Sequence, residues 1–393
     1  MIPRLHLKIV ARFREVFGHK GDTKLYFSPG RVTIIGELID YSGGDTITAA
    51  VDRGTYIVAR KRPDNKINIY AHSFKAKKSF TLDELEKNKE DEWAVYFKGV
   101  YSVLIENGYK IHGMDLFVYT DLPFNTSLAS SSSLCACLTY AALDINNIKD
   151  IEPLDMAKLS YEGERKYASH RTSLSDHAAI FMGKDNTLFF FNMSSLKYEY
   201  FDFNMGDYCM AVVNSNKKRT SSDSEYNARR RECENALKKL KEKKPNLKSL
   251  CDLKPKDADF IKETLQNKEQ RRALYVSSEQ DRVNQAVKAI KKGSIKDLAN
   301  LISKTHDGLS KLYEVSTAEL DILVEESLNM DGVLGARMIG TGFGGGVLIL
   351  LKKTEVENVI ENLYTHYKER TRRDADVYIL KSSNGTRILP TEE

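Results

Sequence analysis

The sequence has no run of 18 apolar residues and only five cysteines among its 393 residues. The first absence excludes a membrane-spanning helix, and the beginning, "MIPRLHLKIVARF", has no long apolar segment before a small-residue cleavage site. We therefore expect a cytoplasmic location and no membrane partner. The cysteines show no CxxC spacing and the eight histidines form no HExxH motif, so we expect reduced core thiols and no protein-held transition metal.

The chain also lacks a large charge imbalance. Its 60 basic and 55 acidic residues give a net charge of +5, too small for this length to indicate a nucleic acid as partner. Hydrophobic residues at 41% and charged residues at 29% are typical of a folded globular protein. At roughly 100–200 residues per domain, the length predicts two domains.

Strand and helix patterns alternate in the first half of the chain. The runs "TYIVARKR" and "KINIYAHSF" are rich in β-branched and aromatic residues, and the "PDN" between them predicts a hairpin. "FNTSLASSSSLCACLTYAALDI" predicts a helix whose first serines act as caps. In the second half, "DILVEESLNMDGVLGARMIGTGFGGGVLILLKK" predicts helix, turn, strand, glycine loop and strand. Together these patterns predict an α+β fold with domains 1–195 and 196–393.

The glycine loop formally matches the dinucleotide-binding pattern GxGxxG through Gly340, Gly342 and Gly345. That fingerprint must open a helix, whereas this loop runs into "VLILLKK", which predicts a strand, so a Rossmann site is excluded. Five of the residues 340–346 are glycine. So many glycines are entropically costly, which leaves two interpretations, a ligand-binding loop or a tight structural turn.

The serine loop after Pro123 is a second candidate site. Hydroxyl and N–H groups at a helix N-terminus can bind phosphate, and a serine hydroxyl can also ligate Mg²⁺. The sequence has no GxxxxGK[ST], so a Walker-type P-loop is excluded. Simple helix capping is the alternative interpretation.

A third candidate site lies in "SPGRVTIIGELIDYSGG", where Arg31, Glu37 and Asp40 surround a predicted turn. Three charges alone would be explained by surface salt bridges. An arginine, carboxylates suited to sugar hydroxyls, a serine-rich helix start and a glycine loop together favour a phosphoryl-transfer site.

These motifs resemble those of the galactokinase family of GHMP small-molecule kinases. "SPGRVTIIGELIDYSGG" is similar to the family's GRxNLIGEHTDYNGG, "LPFNTSLASSSS" to its PxGxGLSSSA, and "GARMIGTGFGGGVLILL" to its GARMTGxGFGGC. "SEYNARRREC" and "RRALYVSSEQDRV" also follow galactokinase patterns, so the resemblance covers nearly the whole chain. It implies a two-domain GHMP kinase fold with the active site in the interdomain cleft.

The resemblance also implies residue roles. Arg31 and Asp176, the latter in "RTSLSDH", match the catalytic pair beside the sugar's anomeric hydroxyl, and Ser131 and Glu164 match the Mg²⁺ ligands. The residues implied at the sugar are Glu37, Leu38, Asp40, Ser173 and Tyr226. The residues implied at the ATP phosphates are Asn125, Ser127, Ala129, Ser130, Ser131, Ser132, Gly342, Gly344 and Gly345. We expect a small sugar and ATP as substrates, Mg²⁺ as cofactor, and a monomer or weak homodimer.

Several positions depart from the family pattern. Leu38 stands where the family has a histidine that contributes to recognition around the sugar's 6-hydroxyl, and an unpaired buried hydroxyl should cost roughly 1–3 kcal/mol. The other departures at the sugar end are Thr33 for asparagine, Ser173 for glycine, His177 for glutamine and Arg219 for histidine. At the phosphate end, Asn125 and Ser127 replace glycines, and serine adopts a positive φ poorly.

Three functions remain open at this point. The first is galactokinase, and the second is an ATP-dependent kinase for a related sugar such as L-arabinose or a modified galactose. The third is a sugar sensor without turnover, which the altered serine loop would favour. The adenine pocket is unassigned, because Trp93 fits the family pattern but a lone tryptophan can equally be core.

Overall fold

The computed structural model describes residues 3–168, 172–218 and 222–391, which form helices packed on two β-sheets. The strands are β1 Lys24–Ile35, β2 Asp45–Lys61, β3 Lys66–Ala71, β4 Ala76–Thr81, β5 Met114–Thr120, β6 Thr187–Asn192, β7 Tyr198–Asp202, β8 Tyr208–Asn214, β9 Val333–Met338, β10 Gly346–Lys352, β11 Asp376–Leu380 and β12 Arg387–Leu389. The helices are α1 Arg4–Phe17, α2 Val95–Glu106, α3 Ser130–Ile145, α4 Pro153–Tyr167, α5 Leu174–Met182, α6 Ser222–Lys243, α7 Ala258–Thr264, α8 Asn267–Lys291, α9 Ile295–Lys311, α10 Ala318–Leu328 and α11 Val356–Thr371. The predicted α+β class is confirmed.

The larger sheet has the order β12-β1-β2-β5-β3-β4, and β6 and β7 extend it from β2. The predicted hairpin between β2 and β3 is wrong, because β5 lies between them and pairs antiparallel with β2 and parallel with β3. The first four residues of β5, from Met114 to Phe117, are buried. A turn signal shows only that the chain reverses, whereas the burial of this apolar strand decides which strand takes the central position.

The smaller sheet has the order β11-β8-β10-β9 and is antiparallel throughout. Strands β9 and β10 are adjacent, and the glycine loop joins them directly. The loop therefore opens a strand, as predicted, and does not open a helix. Both central strands, β8 and β10, are buried over nearly their full lengths.

The two halves of the chain do not separate cleanly at residue 195. Strand β7 lies beyond that position but pairs with β6, and β12 returns from the C-terminus to pair with β1. We propose that the crossing into the second half follows Asp202. A single hydrophobic core joins the end of β1 to helices α8 and α9, so the turn after β1 lies where the two halves meet.

The structure bears on two predictions, that the cysteines are core thiols and that no helix spans a membrane. All five cysteines are free and buried, which confirms their interpretation as reduced core thiols. Within the described parts of the chain, no helix is long and apolar enough to cross a membrane.

Candidate functional site

A polar cleft opens at the end of β1, and we call it the Arg31 cleft. The atom-free space in the cleft, including its mouth open to solvent, is about 430 Å³. Its walls are formed by Arg31, Thr33, Gly36, Glu37, Leu38, Asp40, Thr46, Thr172, Ser173, Ser175, Asp176, Tyr226, Gly340 and Thr341. All seven residues predicted for catalysis or sugar binding lie in these walls, although they come from distant parts of the sequence.

Arg31 and Asp176 form a two-point ion pair at the centre of the cleft. Arg31 donates from Nε to Asp176 Oδ1 over 2.6 Å and from Nη2 to Oδ2 over 2.8 Å. Arg31 Nη1 also donates to the carbonyl of Ser127 over 2.7 Å, so one guanidinium connects α5 to the serine loop. Burial opposes the charge of Arg31, but the carboxylates of Asp176, Glu37 and Asp40 raise its pKa above its usual value.

The start of α5 explains where Asp176 points. Ser173 is the N-cap residue, and its hydroxyl accepts a hydrogen bond from the Ser175 N–H over 3.1 Å. Asp176 therefore lies in the first turn, where the helix dipole favours a negative charge. The arginine and the helix dipole together hold this carboxylate in the cleft.

Glu37 is held by an arginine to which the sequence analysis gave no role. Arg337, on β9, is fully buried and donates from Nη1 to Glu37 Oε2 over 3.0 Å. The same guanidinium donates to the carbonyls of Thr33 and Ile34, so it fastens the end of β1 to the second half of the chain. A charged residue in the otherwise apolar strand "VLGARM" is the sequence signal that could have identified it.

Helix α8 supplies a second support for the same turn. Glu279 is fully buried and accepts hydrogen bonds from the Gly36 N–H over 2.9 Å and from the Thr305 hydroxyl over 2.9 Å. Gly36 has a φ of 92°, and a Cβ there would lie 2.4 Å from the Asp45 carbonyl oxygen. Only glycine therefore fits at position 36 of this turn. From the same helix α8, the Tyr275 hydroxyl donates to the Glu37 carbonyl over 2.7 Å.

Leu38 follows in the same turn and has a φ of 59°, an uncommon conformation for a branched side chain. Its side chain is 6% exposed, forms part of the cleft wall and packs into the central core. Tyr226 lies in the wall as well and meets Tyr41 edge to face at 5.8 Å between ring centroids.

The surroundings of Asp40 in the cleft raise the pKa of its carboxyl group. Burial raises its pKa to about 6, with the nearby carboxylates of Asp176 and Glu37 acting in the same direction and a hydrogen bond from Ser173 opposing them. Because this pKa is above the usual 3.8, the folded protein holds the proton more tightly than the unfolded chain does. The Asp40 carboxyl therefore contributes to the free energy of unfolding at low pH, and this contribution is lost as the pH rises through about 6.

We expect Asp40→Asn to stabilise the ligand-free protein at pH 7.5. The gain should be up to about 3 kcal/mol, the free energy that corresponds to a pKa difference between about 6 and 3.8. Urea unfolding at pH 5 and pH 7.5 would measure it, and the gain should shrink at the lower pH. Asp202→Asn, which removes a charge from an exposed strand position, controls for net charge. An equal effect of both substitutions would contradict the assignment.

The serine loop contains three left-handed residues. Asn125, Ser127 and Ala129 all have positive φ values, 59°, 64° and 57°, so the two positions where the family has glycine, Asn125 and Ser127, are indeed left-handed. Positive φ at alternate residues is typical of concave nests of N–H groups. The predicted serine caps are wrong, because the N-cap of α3 is Ala129 and no side chain caps the helix. The Ser133 hydroxyl instead donates to the Ser28 carbonyl over 2.8 Å.

Behind this loop, Glu164 is the centre of a buried polar cluster. The Ser132 hydroxyl donates to its Oε2 over 2.7 Å, and His177 Nε2 lies 2.8 Å from the same oxygen. His177 is fully buried, and its Nδ1 lies 2.9 Å from the Ser160 hydroxyl. The assignment of Ser131 and Glu164 as Mg²⁺ ligands stays a prediction, and it is Ser132 that bonds Glu164 directly. Successive residues of a helix point about 100° apart, so the two serines face different neighbours.

Ser130 and Ser131 instead border a second opening, which we call the Trp93 pocket. Its atom-free space, including the mouth open to solvent, is about 790 Å³, and its walls are mainly apolar. Its walls are formed by Thr55, Ala71, His72, Ser73, Phe74, Trp93, Tyr96, Phe97, Val118, Thr120, Phe124, Ser130, Ser131 and Leu134. Trp93 therefore lines an open pocket as well as packing on the core. Phe74, which is 58% exposed, stacks on it with ring centroids 6.2 Å apart.

The glycine loop packs tightly against the serine loop. A Cβ on Gly340 would lie 2.5 Å from the Ser127 Cβ, and one on Gly342 would lie 2.2 Å from the Val315 carbonyl oxygen. Gly344 and Gly345 have φ values of 125° and 99°. The loop is thus a tight structural turn, and contact of Gly342, Gly344 and Gly345 with phosphates stays a prediction. Arg219, which replaces a family histidine, lies outside the described residues.

Three family profiles match the chain. They are the galactokinase galactose-binding signature over residues 11–61, the GHMP kinases N terminal domain over residues 95–184 and the GHMP kinases C terminal profile over residues 286–369. The galactokinase of Clostridium perfringens (strain ATCC 13124) is 38% identical over 97% of both chains. That of Bacillus subtilis is 34% identical over 97% of this chain and 98% of its own.

Solved structures agree with the sequence comparisons. The crystal structure of Lactococcus lactis galactokinase complexed with galactose superposes with a TM-score of 0.93 at 31% identity, covering 97% of this chain and 98% of that one. The Methanococcus jannaschii mevalonate kinase superposes with a TM-score of 0.64 at 17% identity, a likeness of fold alone. The predicted GHMP kinase fold is confirmed.

Proposed function

We propose that this chain, which belongs to the galactokinase family of GHMP kinases, transfers the γ-phosphoryl group of ATP to the 1-hydroxyl of D-galactose. The observation that carries the proposal is the two-point contact between Arg31 and Asp176 inside a cleft whose walls hold two further carboxylates. An arginine-supported carboxylate in a polar cleft is suited to orienting a hydroxyl nucleophile and accepting its proton.

The contact between Arg31 and Asp176 also indicates how the sugar hydroxyl that accepts the phosphoryl group is activated. Asp176 binds the 1-hydroxyl of the sugar and takes its proton as the oxygen attacks phosphorus. Arg31 holds the Asp176 carboxylate through two hydrogen bonds and stabilises the charge that develops on the transferred phosphoryl group. Since Arg31 also bonds the Ser127 carbonyl, one side chain aligns the sugar with the phosphate loop.

The sugar is held by the turn after β1. Glu37 and Asp40 accept hydrogen bonds from neighbouring sugar hydroxyls, and Tyr226 also forms part of the wall. The carboxylates select stereochemistry because a sugar that lacks a matching hydroxyl leaves a buried acceptor unpaired. Glu37 is oriented for this role by Arg337, and Ser173 orients Asp40.

We assign the nucleotide to the Trp93 pocket and the serine loop. The stacked pair of Phe74 and Trp93 offers an aromatic face for adenine, and Ser130 and Ser131, at the start of α3, line the same pocket. The helix N-terminus and the left-handed residues before it then face the phosphates.

The residues behind the loop fit the expected Mg²⁺. Within the described residues no group of three His, Cys, Asp or Glu side chains could hold a metal ion, but Mg²⁺ usually takes only one or two carboxylates and completes its shell with phosphate and water. Glu164, together with the hydroxyl of Ser131 or Ser132, meets that need. When bound, Mg²⁺ neutralises charge on the ATP phosphates.

A coupled ATP-to-ADP assay with Mg²⁺ tests the proposed function. The panel contains D-galactose, N-acetylgalactosamine, L-arabinose, fucose and galacturonate, with Asp176→Ala as the blank. We expect galactose to give the highest kcat/KM and galactose 1-phosphate as product. Absence of turnover with any sugar, despite binding by calorimetry, would favour the sensor.

One observation favours the second candidate, a kinase for L-arabinose or a modified galactose. Leu38 contributes an apolar side chain to the cleft wall and cannot hydrogen-bond a substituent there. A higher kcat/KM for L-arabinose than for galactose in the same panel would establish that function.

The oligomeric state, a monomer or weak homodimer, stays a prediction.

A further inference from the structure

Thr46, a residue in the wall of the Arg31 cleft, has a buried hydroxyl without a partner. It lies near the start of β2, is 3% exposed and forms part of the cleft wall. Its Oγ1 makes no hydrogen bond. Among the buried side-chain polar atoms left unpaired in residues 3–168, 172–218 and 222–391, this is the one that belongs to the cleft.

Polar side chains next to Thr46 on β2 do have hydrogen-bond partners. Asp45 accepts hydrogen bonds from Gln280 over 2.8 Å and from Asn192 over 2.6 Å. The Thr48 hydroxyl donates to the Phe189 carbonyl over 3.3 Å. Because an unpaired buried hydroxyl destabilises the fold, an unpaired group that lines a ligand cleft points to a partner supplied by the ligand.

The position of Thr46 puts it next to the sugar-binding turn. A Cβ on Gly36 would lie 3.0 Å from the Thr46 Cα, and Gly36 directly precedes Glu37. The cleft carboxylates of Glu37, Asp40 and Asp176 can only accept hydrogen bonds when ionised. A sugar hydroxyl that donates to one of them still has an oxygen that can accept, and a threonine hydroxyl can donate to it.

We propose that Thr46 is a sugar-binding residue whose hydroxyl donates a hydrogen bond to a ring hydroxyl of the substrate. That same ring hydroxyl donates to one of the cleft carboxylates. The inference rests on the proposed function, because it takes a sugar as the occupant of the cleft. Sequence reasoning missed Thr46 because a threonine in "DTITAAV" is typical of an ordinary β-strand.

Thr46→Val tests the inference, since valine has nearly the same shape and no hydroxyl. We expect KM for galactose to rise about three- to tenfold, the loss of one neutral hydrogen bond, with kcat within about twofold of wild type. The melting temperature without sugar should stay equal or rise, because the substitution removes an unpaired group, while the rise caused by galactose should shrink. Thr46→Ser, which keeps the hydroxyl, should restore KM.

Thr48→Val is the matched control on the same strand. It removes a hydroxyl that is already paired, so it should lower the sugar-free melting temperature and leave KM unchanged. The inference is overturned if Thr46→Val leaves KM unchanged, or if it lowers the sugar-free melting temperature as Thr48→Val does. A series of deoxygalactoses should show one sugar for which Thr46→Val causes no further loss of binding, which identifies the bonded hydroxyl.

The two proposals can fail separately. If galactose raises the wild-type melting temperature but is not phosphorylated, the proposed kinase function fails and the melting comparison still tests Thr46. If galactose is phosphorylated and Thr46→Val behaves as wild type, only the inference about Thr46 fails.

Discussion

Replacing Asp176 with asparagine is expected to lower kcat for galactose phosphorylation by roughly 10²–10⁴-fold, the usual contribution of a positioned general base. Asparagine keeps the shape of the side chain but cannot accept the proton of the attacking hydroxyl. It also removes the charge that Arg31 contacts through both Nε and Nη2. Steady-state kinetics with saturating ATP, and galactose binding by calorimetry, would separate the loss of chemistry from the loss of binding.

The chain contains a matched control for this substitution. Asp64 makes the same two-point contact with Arg62, at 2.8 and 2.6 Å, but this pair is part-exposed and outside the cleft. Asp64→Asn should leave kcat at the wild-type value. If Asp176→Asn kept kcat within about threefold of wild type while remaining folded, the carboxylate would not be the general base, whose loss costs far more.

The second large effect concerns folding. Arg337→Met is expected to destabilise the protein by about 3–5 kcal/mol, because it leaves the carboxylate of Glu37 buried beside the cleft without its counter-ion. Methionine fills a similar length but cannot donate to the Thr33 and Ile34 carbonyls, so the turn after β1 also loses its anchors. Urea unfolding would measure the change.

Two further variants show whether charge is the cause. The double variant Arg337→Met with Glu37→Gln removes the unpaired charge, so it should lose less stability than Arg337→Met alone. Arg12→Met breaks an exposed pair with Glu15 and should cost only about 0–1 kcal/mol. A loss below about 1 kcal/mol for Arg337→Met would mean that the buried pair contributes no more than a surface pair.

Much of the candidate site could be predicted from the sequence because its motifs constrain local backbone and side-chain chemistry. The glycine loop was predicted to join two strands, and β9 and β10 are adjacent in the sheet. Asn125 and Ser127 stand at family glycine positions, and both have positive φ. Arg31 and Asp176 were predicted as partners from the resemblance, and they are in direct contact.

The predictions that failed or were missing involve groups distant in the chain. The hairpin was wrong because β5 lies between β2 and β3. The serine caps are a local exception: they were wrong because the N-cap residue of α3 is Ala129, whose side chain cannot accept a hydrogen bond. No local pattern could predict that Arg337 and Glu279 support the turn after β1. The same holds for the unpaired hydroxyl of Thr46.

The sequence by itself therefore determined the family resemblance, the types of chemical group in the cleft and the local backbone of its loops. Only the tertiary structure decided which strand lies at the centre of the larger sheet, which serine bonds Glu164 and which buried charges hold the turn after β1. The physical reason is that motifs and periodicity report relations between residues a few positions apart. The contacts of Glu37 with Arg337 and of Gly36 with Glu279 span 300 and 243 residues, and they form only when the two halves of the chain pack together.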